Sequence, residues 1–94
     1  MLKLNEYAFA NQLIIFSISV YGYKNISKKH CNNSYGQFSH IEHAKQACNN
    51  DGSCGSVYDK GCGSAKRFQL CPNTEDVFKD SLLNDCIHYK VITG

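Results

Sequence analysis

The sequence predicts a small α+β domain in which one helix packs on a short antiparallel sheet and disulfides hold the two together. Three observations lead there. The 94-residue chain carries six cysteines, all at or beyond Cys31. One stretch repeats its apolar residues at helical spacing, and three others read as strands bounded by turn residues. A chain this short makes one domain at most and buries too little apolar surface to be stable with much margin by packing alone, so cross-links or a metal should supply part of the stability, with the cysteines the obvious candidates. Ten Lys and Arg against eight Asp and Glu leave a net charge of only +2, far too mild for a nucleic-acid-binding surface.

Residues 1–22 contain one apolar run, Leu13 to Val20, with Lys3 before it and Gly22 after it. This is the pattern of a secretory signal peptide, with cleavage expected after Gly22 and an extracellular location for the product. Glu6, Asn11 and Gln12 interrupt the usual order, and LIIFSISV would also make a buried strand. A membrane-spanning helix wants about twenty apolar residues, which this run lacks. The absence of cysteine before Cys31 favours a removable leader. Residues 23–30 are polar and basic without apolar period and read as a flexible arm leading into a domain over 31–94. Two sequons begin at Asn25 and Asn32, placing candidate glycosylation sites in and just beyond that arm.

The helix comes next. Ser39 followed by Glu42 is a capping box, which satisfies two free backbone donors at a helix start. Ile41, Ala44, Ala47 and Cys48 recur at spacings of three and four and so share one face. Asn49, Asn50, Asp51 and Gly52 then end the helix. Gly55 to Asp59 reads as a short strand, a turn follows with Gly61 and Gly63, and Arg67 to Cys71 is the partner strand of a hairpin. Thr74 to Leu83 stays ambiguous: Val77, Phe78, Leu82 and Leu83 fit either a helical turn or a packed loop. Cys86 to Ile92 alternates as a final strand with Ile87, Tyr89 and Val91 on one face.

Six cysteines in an extracellular domain are expected to form three disulfides, with 15 pairings open to them. Position along the chain favours a nested set: Cys31 with Cys86 across the ends, Cys48 with Cys71 from helix to sheet, Cys54 with Cys62 near the hairpin. A zinc site drawing on Cys48, Cys54, Cys62, His40 and His43 is disfavoured, because no close C-x-x-C pair occurs. A thiol enzyme using His40, His43 or His88 as base is disfavoured because the even count singles out no cysteine. No catalytic, cofactor-binding or metal-binding residue is therefore expected, and no cofactor.

The run from His40 to Pro72 resembles the central stretch of PAN/apple modules. Glu42, Ala44 and Cys48 match their helix pattern, Asp51, Cys54, Gly55, Val57, Tyr58 and Asp59 their following strand, and Phe68, Leu70 and Cys71 a later one. The similarity spans Cys31 to about Tyr89. It implies a helix on a curved antiparallel sheet, a helix-to-sheet disulfide, a terminal bridge, and binding of an extracellular protein or carbohydrate without catalysis.

The expected function is therefore a secreted, non-enzymatic recognition module. Its candidate ligand surface lies around the hairpin, at Tyr58, Lys60, Lys66 and Arg67. Lys28, Lys29 and Lys90 add to the basic count, but Asp59, Asp76 and Asp80 interleave, so a solvated rim is the preferred reading of these charges. Among Tyr21, Tyr23, Tyr35, Phe38, Tyr58 and Tyr89, some could stack on a sugar while more should pack in core or rim. His40 and His43 fall near each other on the helix. The rival expectations are a host-defence or toxin-like peptide acting on membranes or channels, and a small protease inhibitor. Membrane contact is not favoured.

Overall fold

The hairpin is the centre of the fold. In a computed structural model describing residues 21–74 and 76–92, strand β4 (Cys54–Lys60) pairs antiparallel with β5 (Arg67–Pro72), joined through a 3-10 turn at Gly61–Gly63. In chain order the other strands are β1 (Tyr21–Ser27), β2 (Lys29–Cys31), β3 (Tyr35–Phe38), β6 (Phe78–Asp80) and β7 (Cys86–Ile92), with the helix α1 (Ile41–Asn49) between β3 and β4. Five strands form one sheet in the order β1-β7-β4-β5-β3, and β2 and β6 form a separate two-stranded ribbon. The molecule is thus an α+β domain with one helix, antiparallel sheets and three disulfides, as the sequence predicts.

Strand alternation sends side chains to two faces. On one face Val57, Phe68 and Leu70 pack with Ala44, Cys48 and Cys54, edged by Tyr23, Tyr35, Phe38, Ile41 and Ala47. The four residues expected on the buried helix face are all in this cluster. On the other face Cys71, Ile87 and Val77 pack with Cys31, edged by Ile26, Tyr58 and Phe78. The helix covers the first face and the ribbon the second.

Three expectations change. Residues 23–30, read as a flexible arm, lie mostly in β1 and β2: β1 pairs with β7 from Tyr21↔Ile92 to Ser27↔Cys86, and β2 pairs with β6. Ladder hydrogen bonds to an apolar strand hold this polar segment without needing apolar period of its own. Tyr21 and Gly22 begin β1, while the rest of the expected leader lies outside the described residues. The helix N-cap is His40 rather than Ser39, and no side chain caps it. Phe38 is held opposite Phe68 in the sheet, so Ser39 and His40 make the bend and Glu42 falls one position early for a capping box. The ambiguous stretch contributes the strand β6: Val77 and Phe78 pack, whereas Leu82 and Leu83 are exposed.

The nested disulfides are also corrected. The bridges are Cys31–Cys71, Cys48–Cys54 and Cys62–Cys86. Leu70 faces the helix, so its neighbour Cys71 faces the ribbon and cannot meet Cys48. It meets Cys31 instead. The β4–β5 register slips between Cys54 and Ser56, and that slip turns Cys54 to the helix side, where it bonds Cys48. Cys86 sits opposite Asp59 on β4, beside the turn that carries Cys62. A helix-to-sheet bridge is present, and no bridge ties Cys31 to Cys86.

Candidate functional site

Two places concentrate side chains of chemical interest. The first is a cleft of about 390 Å³ on the ribbon side, where the open end of the hairpin meets the segment leading to β6. Gly55, Ser56, Asn73, Thr74, Asp76, Phe78 and Tyr89 line it, with Pro72 and Val77. Gly55 sits at the register slip, and a Cβ there would come within 3.1 Å of the Asn73 backbone, so glycine permits the close approach that shapes this wall. Phe78 and Tyr89 meet edge to face with ring centroids 5.9 Å apart. Tyr89 is 41% exposed, and Asn73, Thr74 and Asp76 are exposed along the rim. Ser56 lies at the back, and its buried hydroxyl has no hydrogen-bond partner among the described residues. Tyr89, Asn73 and Gly55 also line an adjoining cavity of about 220 Å³, so Tyr89 is a ridge between two hollows.

The second place is the hairpin turn. Asp85, buried, accepts from Gly61 N–H at 2.8 Å, Ser81 Oγ at 2.9 Å and Tyr58 Oη at 3.0 Å. Burial alone would raise its pKa, but those donors and nearby Lys60 hold it below the ordinary carboxylate value. Asp59, also buried, accepts from Gly63 N–H at 2.7 Å through Oδ1 and meets His88 Nε2 at 2.9 Å through Oδ2. The two carboxylates therefore hold the backbone on either side of Cys62, which adopts φ 53°.

Of the residues proposed as ligand surface, Lys60 and Arg67 are cross-strand neighbours, and with Lys66 they expose three cations at the hairpin tip. Tyr58 lies on the same strand face as Lys60, but its hydroxyl is engaged by Asp85, and burial pushes its pKa up to about 12. The carboxylates expected to interleave do not do so: Asp59 is buried against His88, Asp80 pairs with Lys29 on the ribbon, and Asp76 lines the cleft at the open end of the hairpin. Lys90 is not at the tip either. It donates to Cys48 O at 2.7 Å and Asp51 O at 3.3 Å, capping the helix C-terminus, and its ammonium lies 4.8 Å from the centre of the Tyr21 ring. Burial lowers its pKa, with Asp51 opposing.

Tyr23 Oη donates to Asn49 Oδ1 at 2.6 Å and Lys45 O at 3.1 Å, and Tyr35 Oη to Asp51 Oδ2 at 2.6 Å. These two, like Tyr58, are structural, and burial raises both to about 12. His40 and His43 do meet, ring to ring at 5.0 Å. Asn25 and Asn32 are both exposed. All six cysteines are paired, so neither the zinc set around Cys48, Cys54 and Cys62 nor a free thiol nucleophile exists in this state. No helix among the described residues is long and apolar enough to cross a membrane.

The sequence reading missed the Tyr89–Phe78 cleft because β6 was not recognised, so nothing placed Phe78 beside Tyr89. It missed the Asp59–His88 pair because they meet across strands 29 residues apart in sequence. No protein-family model, curated protein or solved structure matches the chain.

Proposed function

We propose that this is a secreted, non-enzymatic recognition module that binds carbohydrate in the cleft beside Tyr89. The observation that carries the reading is an exposed tyrosine ring, Tyr89, backed by the half-buried Phe78 and set within a polar rim. A sugar ring presents C–H groups to an aromatic face and hydroxyls at its edge, and here Tyr89 supplies the face, with Phe78 packed edge to face against it, while Asn73, Thr74 and Asp76 supply amide, hydroxyl and carboxylate. The Ser56 hydroxyl behind them is a further polar group, without a partner among the described residues. Three disulfides suit an oxidising, extracellular compartment, and the proposed leader within residues 1–22 ends before β1 begins at Tyr21. The helix-on-sheet arrangement with a helix-to-sheet bridge supports membership in the PAN/apple-like modules as part of the same proposal.

A glycan array probed with the full chain tests it. The expected result is binding to a restricted set of sugars, weakened at least tenfold by Tyr89→Ala and little changed by Lys60→Ala with Arg67→Ala. A blank array, or binding indifferent to Tyr89→Ala, overturns the carbohydrate reading. Loss only in the Lys60 and Arg67 variants moves recognition to the basic tip and an anionic protein or glycan.

A further inference from the structure

We propose that reduction of the Cys62–Cys86 bridge opens a tetrahedral site for a thiophilic divalent cation such as Zn²⁺, with Cys62, Cys86, His88 and Asp59 as ligands. One donor atom each from Asp59, Cys86 and His88 already lies within 4.8 Å of the other two. Zinc bonds of 2.0 to 2.3 Å place tetrahedral donors about 3.3 to 3.8 Å apart, so the set needs only shifts of about 1 Å. Cys62 Sγ is bonded to Cys86 Sγ; it lies outside the set of three donors and completes it only by swinging from its turn toward Asp59 and His88 once the bridge opens.

The sheet explains why these residues converge. Cys86 and His88 are two apart on β7 and share a face, and Asp59 is the register partner of Cys86 on β4. Gly63 N–H holds Asp59 Oδ1 and leaves Oδ2 toward His88 Nε2 and 3.9 Å from Cys86 Sγ. An outer hydrogen bond of this kind orients a ligating carboxylate. The Asp59 and His88 side chains are only 6% and 15% exposed, so the site is shielded. A cavity of about 520 Å³, lined by Ser39, His40, Gly63, Lys66 and Phe68, reaches Asp59 and offers an entry path.

The redox step is specified by exposure. The other five cysteines are buried, whereas Cys62 is half-exposed on its turn, so an external thiol reaches its sulfur first and releases Cys86. A dithiol reductant gives up two electrons and two protons and becomes a cyclic disulfide, while the bridge becomes two thiols. The cation then displaces the two thiol protons and binds two thiolates, one imidazole and one carboxylate. In the oxidised chain both sulfurs are bonded to each other and the ligand set is incomplete.

Cys62→Ser tests this without reductant, since it frees Cys86 and leaves the other two bridges intact. With Co²⁺ as probe, it should take up one ion per chain with thiolate-to-cobalt and tetrahedral ligand-field bands, displaced by Zn²⁺. Adding His88→Ala should weaken uptake at least tenfold, and the oxidised native chain should show no thiolate band. Exposed His40 and His43 cannot generate that band, so they are distinguished. If Cys62→Ser fails to fold, the native chain under limiting dithiol is read by alkylation mapping and, after anaerobic removal of the dithiol, which would itself ligate cobalt, by Co²⁺ spectra. Label at Cys62 and Cys86 before the other four, together with the thiolate band, supports the site. Another pair opening first, no thiolate band, or uptake indifferent to His88→Ala overturns it.

Discussion

Asp85 is where the most side-chain and backbone donors converge on one buried carboxylate. Removing it as Asp85→Ala strands the Gly61 N–H and the Ser81 and Tyr58 hydroxyls, which should cost about 2 to 4 kcal/mol and is checked by the urea midpoint. Its folded pKa is lowered, so its contribution is fully present above the ordinary unfolded value near about 4 and is lost as pH falls through the folded one. Asp85→Asn should therefore be less stable than the native chain at pH 7, with the gap narrowing on acidification toward pH 2. The alkaline side has the opposite sign. Tyr23, Tyr35 and Tyr58 are raised to about 12, so the stability tied to their protonated forms is intact below about 10 and lost as pH climbs toward their folded values. Phenolate absorbance should show three tyrosines ionising late, together with loss of the fold.

The helix depends on a residue far from it in sequence. No basic side chain lies in its last turn, yet Lys90 from β7 donates to Cys48 O and Asp51 O at that end. Lys90→Met keeps the stem and removes the donor, and it should lower stability by about 1 kcal/mol, read as a fall in Tm with helix content reduced. The helix itself was legible because Ile41, Ala44, Ala47 and Cys48 repeat at its period, and so was the β4–β5 hairpin from its apolar residues and glycines. β1 and β2 were not legible. Their residues are polar because they lie at the sheet edge or on the ribbon, and their order comes from pairing with β7 and β6, which local composition does not record.

Over the whole molecule the bridges close loops of 40, 24 and 6 residues of separation for Cys31–Cys71, Cys62–Cys86 and Cys48–Cys54. Chain entropy ranks them at about 3.9, 3.4 and 2.2 kcal/mol, comparable with the total stability of a small domain. Serine replacement of each pair should lower Tm in that order, and peptide mapping under non-reducing conditions should recover those three pairs and not the nested set. By itself the sequence determined the class of fold: cysteine density, one amphipathic helix and alternating strands are local properties that any compact arrangement must satisfy. Only the tertiary structure decided which cysteines bond, that Tyr89 and Phe78 share a cleft, and that Asp59, Cys86 and His88 converge. The physical reason is register. A slip of one residue at Gly55 changes which face Cys54 presents, and partners drawn from distant strands meet only after every strand has been placed.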